Sequence, residues 1–528
     1  MKNTRLTCTT FKSISQPLYT PAQVREYEGV AAENAGITMW QLMERAGQAV
    51  INCLRHRFPI PVTVGVLCGS GNNGGDGYVA ATLARQMGYN VRVFANQELN
   101  SKQSLEAALA LNLWLETGNQ VESFDDWLAS STDVVIDALL GTGLQENVRD
   151  DLVPIIEELN SRNIPVIAID VPSGLNADTG QIQGCAVKAA HTISFVGMKR
   201  GLYTGAARDH CGQLWFADLG LKEAFRELTE VSAWRLEARQ LSYWLAARKQ
   251  QSNKGDFGHL LIIGGQQGMT GALQLAGEAA LRSGAGKVTI VCQPGQEGFV
   301  AEVPELMVLG LDPNNIADAT RLDILIAHAT HIAIGPGLGQ SEWGQNHWLR
   351  VLESAKPIIV DADALNLLAA TPLKRDNWIL TPHPGEAARL LGTDTASIQL
   401  NRWRSVKALQ EKYGGCVVLK GSGSLVQDAT DVGVCAAGTP ALATAGTGDV
   451  LTGVIGGLMA QSEALALTPW EAVSAGVLVH ALAGETAAHE LSLASRKKGA
   501  APTPVSRGMT ASNLLPHIVK WVNPNERD

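Results

Sequence analysis

Short apolar runs alternate with longer amphipathic stretches along most of this chain. In the first part, the runs VTVGVL (62–67), NVRVFA (90–95) and PVIAID (165–170) are separated by stretches in which apolar residues recur every three or four positions. Nearly continuous apolar strands between amphipathic helices predict a parallel sheet covered by helices on both faces. Ligands of such sheets bind beyond the carboxyl ends of the strands, where the glycine- and aspartate-bearing loops of this chain fall.

Two helix-start signals precede the first of these strands. Thr20, Pro21 and Gln23 combine a capping threonine, a proline at the first helical position and a glutamine at the third. Thr38 and Gln41 repeat the capping box. We therefore predict two helices at the start of the fold.

The alternation breaks after DLGLKEAF (218–225), where a polar stretch runs to RKQQSNKGDFGH (248–259). It resumes with apolar strands such as HLLIIGG and KVTIVC, and ends in a helical region over roughly residues 447–490. A chain of 528 residues exceeds one ordinary core, since domains average about 100–200 residues. We therefore predict two α/β domains, residues 1–235 and 236–528.

The composition narrows the range of partners. The chain is 45% hydrophobic and 18% charged, which is typical of a soluble globular protein. Its net charge of −9 disfavours a polyanion, so we expect no nucleic acid partner. No apolar run is long enough for a transmembrane helix, which needs about 18 residues, so we expect no membrane partner.

The spacing of the cysteines and the composition of the N-terminal arm bear on the cellular location of the protein. The eight cysteines have no C-x-x-C spacing and are interpreted as thiols of a reducing compartment. The arm MKNTRLTCTTFKSISQ is basic and rich in Ser and Thr, which is compatible with an organelle transit peptide. A short disordered arm is the preferred interpretation, and the predicted location is cytoplasmic.

The first glycine-rich loop, SGNNGGDG (70–77), directly follows an apolar strand. A tight turn explains one or two glycines, but not the adjacent asparagines and the aspartate. Neighbouring strand ends add Asp137, Asp170 and Ser173. Each aspartate by itself would be interpreted as a helix cap. Together, these oxygen atoms suit a hard cation or proton transfer, and the glycine backbone could hold a diphosphate.

The second glycine-rich loop contains GTGD (446–449), just before a predicted helix. Free N–H groups and the positive helix end would face an anion there. Asp449 is then either a favourable helix-terminal charge or a base that accepts a hydroxyl proton. LKGSGS (419–424), with Lys420, is a second phosphate candidate, and His383 either contacts substrate or only hydrogen-bonds locally.

The order LMERAG (42–47), GNNGGDG (71–77), DALLGTG (137–143) and DVPSG (170–174) resembles the N-terminal domain of the NAD(P)H-hydrate repair enzymes, over about residues 15–225. The resemblance implies a Rossmann-like doubly wound parallel sheet and epimerisation of a hydrated nicotinamide ring. It implies potassium held by Asn73, Asp137 and Ser173, with Asp137 a ligand, a catalytic base or both. The implied substrate contacts are Asn72, Asn73, Gly74, Gly75, Asp76, Gly141, Thr142, Gly143, Leu144, Gln145, Glu146, Asn147 and Asp170.

A second ordered set, from KGDFGH through DADALN, TPHPGE and LKGSG to GTGDVL, resembles the dehydratase domain of the same family, over about residues 240–520. That domain is similar to the ribokinase-like α/β fold. The approach Thr439-Pro440-Ala441-Leu442 and Ala445 depart from the family pattern, which leaves the conformation of that loop open. The implied contacts are Ala272, Gly337, His383 and Asp449 for the hydrate, and Lys420, Gly421, Ser422, Gly423, Ser424 and Gly448 for ADP.

Together, the two resemblances predict a bifunctional enzyme that acts on NADHX and NADPHX, the hydrates of NADH and NADPH. The first domain would interconvert the R and S epimers beside K+. The second would dehydrate the S form at the expense of ADP, with Mg2+, and give AMP and phosphate, with Asp449 assisting phosphoryl transfer. We also expect a homo-oligomer. One alternative is a small-molecule kinase with a regulatory N-terminal domain. The other is a binding module of RNA metabolism, against which the acidic balance argues.

Overall fold

The computed structural model describes residues 7–8, 16–96, 104–495 and 505–524, and the chain divides into two compact units. The first unit includes Pro17–Ala233, and the second includes the chain from Trp234 onwards. Most of the N-terminal arm interpreted above as disordered lies outside the described residues. No helix among the described residues is both long and apolar enough to cross a membrane.

Strands and helices alternate along the N-terminal part of the chain, as predicted. One 3-10 helix covers Arg200–Tyr203. The strands are β1 (Thr7–Cys8), β2 (Gln16–Leu18), β3 (Thr63–Cys68), β4 (Asn90–Ala95), β5 (Val121–Glu122), β6 (Val134–Ala138), β7 (Val166–Ile169), β8 (His191–Phe195) and β9 (Gln213–Ala217). The α-helices are α1 (Pro21–Asn34), α2 (Met39–Arg57), α3 (Asn72–Gln86), α4 (Leu105–Glu116), α5 (Phe124–Leu128), α6 (Val153–Ser161), α7 (Ala207–His210) and α8 (Lys222–Leu228).

The sheet of the first unit has the order β1-β9-β8-β7-β6-β3-β4-β5, and every pair is parallel except β1 with β9. The chain leaves β3 towards β4 and β5, then returns to build β6, β7, β8 and β9 on the other side. A doubly wound sheet binds ligands where the direction of winding reverses. That point lies between β3 and β6, where the loops that contain GNNGGDG and DALLGTG begin.

Both predicted capping boxes form. The Thr20 side chain accepts from the N–H of Gln23 at the start of α1, and Thr38 does the same for Gln41 at the start of α2. The Gln23 amide also donates to the Thr229 hydroxyl at 3.0 Å and the Glu230 carbonyl at 2.9 Å. The beginning of α1 is therefore fixed by both local and long-range hydrogen bonds.

The second unit resumes the alternation. Its 3-10 helices cover Ala238–Gln240, Lys254–Phe257, Pro440–Leu442 and Ala511–Asn513. The strands are β10 (Ala233–Leu236), β11 (His259–Ile263), β12 (Lys287–Cys292), β13 (Met307–Gly310), β14 (His331–Ile334), β15 (Ile358–Val360), β16 (Trp378–Leu380), β17 (Cys416–Leu419), β18 (Ser424–Gln427) and β19 (Val432–Cys435). The α-helices are α9 (Leu241–Trp244), α10 (Thr270–Arg282), α11 (Glu297–Val300), α12 (Ile316–His328), α13 (Glu342–Leu352), α14 (Ala362–Ala370), α15 (Pro384–Leu391), α16 (Thr395–Leu400), α17 (Arg402–Tyr413), α18 (Thr447–Ala460), α19 (Ser462–Leu465), α20 (Pro469–Ser495) and α21 (Leu515–Val522).

In the second unit, the strands lie in the order β13-β12-β11-β14-β15-β16-β17-β18-β19-β10. The pairs from β13 to β17 are parallel, whereas β18 is antiparallel to both β17 and β19. The segment LKGSGS is therefore the turn of a β-hairpin, a feature that the pattern of apolar runs did not reveal. The strongly apolar helices α18 and α20 pack in the core of this unit.

Two candidate active sites

A cavity of about 590 Å³ lies at the switch point of the first unit. Its wall combines polar side chains from α1 and α3 with the loops that follow β3, β6, β7 and β8. Many of the predicted contact residues lie in this wall. They are Asn72, Asn73, Asp76, Gly141, Thr142, Gly143, Leu144 and Asp170.

Other predicted contact residues lie elsewhere. Gly74 and Gly75 are buried in the first turn of α3, where a Cβ on Gly74 would lie 2.0 Å from the Gly69 carbonyl oxygen. Their lack of a side chain therefore serves close packing. The three residues after Leu144 are exposed and lie outside the cavity wall: Gln145, Glu146 and Asn147.

Asp137 and Ser173 form a buried pair behind this wall. Both side chains are fully buried. The Asp137 carboxylate accepts hydrogen bonds from the Ser173 N–H at 2.8 Å and from the Ser173 hydroxyl at 2.6 Å. Burial raises the pKa of Asp137 to about 6, although the bonds from Ser173 oppose the shift. The Asn73 amide donates to the Leu140 carbonyl at 3.1 Å, so its own oxygen stays available beside this pair.

Lys199 is a site residue that the sequence did not single out. Its side chain is only 1% exposed, yet it lies in the cavity wall and forms an ion pair with Asp170. The ammonium group also donates to the Phe195 carbonyl at 2.9 Å and the Ser194 hydroxyl at 3.3 Å. All hydrogen bonds to the Asp170 carboxylate reach Oδ1, so Oδ2 accepts none from the described residues. Asp170 also has a left-handed backbone, with φ of 62°.

Two further carboxyl groups, Asp76 and Glu28, lie in the same wall. Burial raises the pKa of Asp76 well above its ordinary value, and the charges of Asp170 and Glu28 add to the shift. Burial likewise raises the pKa of Glu28 to about 6, while Lys199 opposes the change. Both shifts favour the protonated forms of these carboxyl groups, and Glu28 can exchange a proton at a pH of about 6.

The second site begins at the amino end of α18. Gly446 precedes this helix with φ of 87°, and no side chain among the described residues caps the helix. The first N–H groups of α18 are therefore open to an anion. The His480 imidazole lies 2.9 Å from the Thr447 carbonyl, and burial lowers the pKa of His480 to about 4, so the neutral ring donates this bond.

The approach to α18 is well ordered despite its departure from the family pattern. Thr439 caps the 3-10 helix Pro440–Leu442, and Gly438 N–H donates to the Glu485 carboxylate at 2.7 Å. The Thr447 hydroxyl lies 3.0 Å from the Leu442 carbonyl and could donate to it. The substituted residues thus form a capped turn that is joined to the helix it precedes.

Asp361 and Lys420 form the centre of the second site. Asp361 is 2% exposed and accepts from Lys420 at 3.0 Å, from the Thr381 hydroxyl at 2.8 Å and from the Thr452 hydroxyl at 2.7 Å. Burial by itself would raise the pKa of Asp361, but Lys420 and these hydrogen bonds lower it below its ordinary value. Asp361 therefore stays ionised and joins the loops after β15, β16 and β17 to helix α18.

Asp449 lies in the first turn of α18, beside this centre. A Cβ on Gly448 would lie 3.6 Å from the Lys420 ammonium nitrogen, so the GTGD segment and Lys420 are neighbours. Burial and the charge of Asp361 raise the pKa of Asp449 to about 7, against the opposing effect of Lys420. A carboxylate with this pKa is a stronger base than an ordinary aspartate.

The hairpin turn that carries Lys420 is held from the inside by Arg402. This side chain is 1% exposed and donates to the carbonyls of Leu419 at 3.1 Å, Lys420 at 3.2 Å and Gly423 at 3.4 Å. Gly421 has φ of 137°, which favours glycine. The remaining predicted ADP contacts, Ser422 and Ser424, belong to the same turn.

The structure also locates the predicted hydrate contacts of the second unit. Gly337 and Ala272 both lie against Met269. A Cβ on Gly337 would be 2.5 Å from the Met269 carbonyl oxygen, and the Ala272 N–H donates to the same oxygen at 3.4 Å. His383 caps helix α15 by accepting from the N–H of Gly385 at 3.0 Å and of Glu386 at 3.2 Å. His383 therefore does hydrogen-bond locally, and its other ring nitrogen lies 3.4 Å from the Glu386 carboxylate. A contact between His383 and the substrate stays a prediction.

Comparison with known proteins covers both units. A family model described as YjeF-related protein N-terminus matches residues 40–201, and one described as NAD(P)H-hydrate dehydratase matches residues 260–501. The bifunctional NAD(P)H-hydrate repair enzyme Nnr of Escherichia coli (strain K12) is 41% identical, over 98% of this chain and 96% of its own length. The protein of that name from Coxiella burnetii is 42% identical, over 96% of this chain and 99% of its own.

A solved structure is similar to part of the chain. It is a ribokinase-like superfamily protein from Enterococcus faecalis, with 26% identity and a TM-score of 0.46, covering 55% of this chain and 94% of its own. The full-length relatives establish the membership: the chain belongs to the family of bifunctional NAD(P)H-hydrate repair enzymes.

Proposed function

We propose that this protein restores NADH and NADPH from their hydrates in two steps, each in its own unit. Residues 1–235 would carry the epimerase and residues 236–528 the ADP-dependent dehydratase. The observation that supports this division best is the presence of two separate sets of titratable groups. One surrounds Lys199 in the cavity of the first unit, and the other surrounds Lys420 in the second.

In the first unit, the hydrated nicotinamide ring would enter the cavity, and the diphosphate of the dinucleotide would face the start of α3, which has no side-chain cap. Potassium fits the oxygens of Asn73, Asp137 and Ser173, because Asp137 is fully buried without a cationic partner among the described residues. A monovalent cation bound there would neutralise this carboxylate. Asp170 would accept a proton through its open oxygen Oδ2.

In the second unit, the phosphates of ADP would lie between the hairpin turn Lys420–Ser424 and the start of α18. The S hydrate would lie against Ala272, Gly337 and His383. Asp449 would take the proton of the ring hydroxyl. The hydroxyl oxygen would then bond to the terminal phosphorus of ADP, and AMP would leave with the bridging oxygen. Phosphate then departs with the C–O bonding electrons, and loss of a proton from the adjacent ring carbon restores the double bond.

Magnesium would arrive with the nucleotide. No group of three His, Cys, Asp or Glu side chains within the described ranges could hold a metal ion. Mg2+ commonly binds through substrate phosphates and one or two carboxylates. The phosphates of ADP would be its main ligands, since Asp449 is needed as the base and the oxygens of Asp361 already accept three hydrogen bonds. The cytoplasmic location and the homo-oligomeric state remain predictions.

The variant Asp449→Asn tests this function. Both hydrate epimers are mixed with ADP, Mg2+ and K+, and the absorbance of the reduced nicotinamide is followed. Wild type should restore it fully. Asp449→Asn should lower the rate by about 10³-fold, since it removes the general base. The matched control Asp376→Asn changes an exposed aspartate of the same unit and should keep the wild-type rate. A stable phosphorylated product without recovery of absorbance would instead support the small-molecule kinase.

A further inference from the structure

Glu28 occupies a position on α1 where an apolar residue is expected. The buried face of this helix contains Val24, Ala31 and Ala32. Glu28 follows Val24 by four residues and precedes Ala32 by four, so it lies on the same stripe. Glu28 is half-buried there, and a carboxyl group withdrawn from water destabilises the fold unless it has a partner. Its presence therefore needs a reason other than packing.

The described residues provide no hydrogen bond for the Glu28 carboxyl group. Four charged groups act on it electrostatically: Lys199, Asp170, Asp76 and Arg25. Neither cation is available as a dedicated partner. Lys199 donates to Asp170, Ser194 and Phe195, and Arg25 donates to the Thr142 carbonyl at 2.8 Å. Glu28 is thus an unpaired carboxyl group in the wall of the first cavity.

We propose that Glu28 is the second proton-transferring carboxyl of the epimerase, working with Asp170, and that Lys199 is a positioning residue that orients Asp170. The assignment rests on the proposed function of the first unit. Two carboxyl groups suit this reaction, because a proton is given to the hydroxyl on one face of the ring carbon and taken from water on the other. Asp170 is held by three donors on Oδ1, which leaves Oδ2 for one half of the reaction. Glu28 supplies the other half.

The proton transfers balance. Protonated Glu28 donates to the hydroxyl on the ring carbon next to nitrogen, the C–O bond breaks, and water leaves with the bonding electrons. The nitrogen lone pair forms a C=N bond. Water then adds to the other face of that carbon and gives its extra proton to Asp170. The two carboxyl groups exchange this proton with solvent before the next turnover, so no other reactant is consumed.

The electrostatic setting agrees with a proton donor. Burial raises the pKa of Glu28 to about 6, with Asp170 adding to the shift and Lys199 and Arg25 opposing it. Burial also raises the pKa of Asp76, and a protonated Asp76 adds no negative charge near Glu28. A carboxyl group of this kind keeps a substantial protonated fraction just below neutral pH.

The test compares Glu28→Gln with Glu33→Gln in the full-length protein. Glu33 is an exposed glutamate of the same helix and provides a matched control. With both hydrate epimers, ADP and Mg2+, absorbance recovers in two phases: dehydration of the S fraction, then conversion of the R fraction. Glu28→Gln should slow the second phase by about 10²-fold and leave the first unchanged. Glu33→Gln should change neither phase.

A second readout separates proton transfer from a structural role. In wild type, the rate of the R phase should depend on a group with a pKa near 6, and this limb should be absent in Glu28→Gln. The thermal midpoint of the first unit should stay the same or rise, because an unpaired carboxyl group is removed from an apolar stripe. A second phase within about twofold of wild type at each pH would overturn the role of Glu28. A wild type that never converts the R epimer would instead contradict the epimerase function itself.

Discussion

The two units each contain a buried lysine–aspartate pair at the carboxyl ends of a parallel sheet. In the first, Lys199 binds Asp170; in the second, Lys420 binds Asp361. Both lysines are largely withdrawn from solvent, although the Lys420 side chain is 19% exposed and that of Lys199 only 1%. The pairs differ in how the other hydrogen-bond donors contact the two carboxylate oxygens of the aspartate. That difference explains why one pair suits proton transfer and the other suits the fixing of neighbouring loops.

Asp361 accepts hydrogen bonds on both carboxylate oxygens, from Lys420, Thr381 and Thr452. These three hydrogen bonds engage most of the acceptor positions of the carboxylate, and its charge adds to the effect of burial in raising the pKa of Asp449. Within the described part of the chain, Asp170 is bound through one oxygen only, and the neighbouring carboxyl groups of Glu28 and Asp76 accept no hydrogen bonds. The carboxylates that we propose as reactive are therefore the incompletely bonded ones, Asp170 in one unit and Asp449 in the other.

Loss of each lysine should affect the two units unequally. Lys420→Met leaves Asp361 charged and buried, so we expect the second unit to lose about 3 kcal/mol of unfolding free energy and almost all dehydration. Lys199→Met should cost about 1 kcal/mol, because the Asp170 side chain is 15% exposed and its open oxygen can be hydrated, whereas Asp361 is only 2% exposed. Chemical denaturation of both variants measures the difference. Equal losses would show that the exposure of the aspartate does not distinguish the pairs.

Removal of the Asp361 charge should change the pH dependence of dehydration. In Asp361→Asn, the pKa of Asp449 should fall, because the charge of Asp361 helps to raise it. The rate falls at low pH as Asp449 becomes protonated, so this acidic limb should move to lower pH by about one unit. The pH–rate profile of the S epimer checks the shift. Asp376→Asn, at an exposed position, should leave the profile in place.

Glu28 and Asp361 should contribute to the free energy of unfolding with opposite pH dependences. Because the pKa of Glu28 is raised in the folded state, its contribution is present below the unfolded value and is lost as pH rises through about 6. The pKa of Asp361 is lowered, so its contribution is present above the unfolded value and is lost as pH falls. Glu28→Gln should match wild type near pH 4 and be about 1 kcal/mol more stable near pH 8. Unfolding at both pH values provides the measurement.

The smallest expected effect concerns the left-handed turn before α18. Gly446→Ala adds a Cβ at φ of 87°, about 2.7 Å from Leu275. A cost of about 1 kcal/mol should lower dehydration about fivefold. Gly392→Ala is the matched control, since φ there is 69° and nothing lies within 4 Å. If both variants keep wild-type dehydration rates, the turn does not determine how α18 presents its N–H groups.

Much of this arrangement could be predicted from local sequence. The capping boxes at Thr20 and Thr38, and the placement of Asp449 in the first turn of a helix, depend on residues within four positions of one another. The strand-end clusters were also predictable, because the carboxyl ends of parallel strands meet at one edge of the sheet. This rule correctly associated GNNGGDG with DALLGTG and DVPSG.

The remaining features depend on contacts between distant segments. Lys199 becomes a site residue only because β8 lies next to β7, which brings it to Asp170. Arg402 reaches the hairpin turn from a helix, and Thr452 reaches Asp361 across 91 positions. Glu28 did leave a signal, since a glutamate on the apolar stripe of α1 breaks the helical pattern. The hairpin at LKGSGS was hidden because its short strands resemble those of a parallel sheet.

The most direct test of two separate active sites is the recovery of reduced-nicotinamide absorbance from a mixture of both hydrate epimers with ADP. Two sites predict that wild type restores the full absorbance, Asp170→Asn restores only the S fraction beyond the enzyme-free rate, and Asp449→Asn restores neither. Mixing the two variants should then recover the full amount, since each supplies the activity that the other lacks. Full recovery by Asp170→Asn at the wild-type rate, or none by the mixture, would contradict the division of the reaction between the two units.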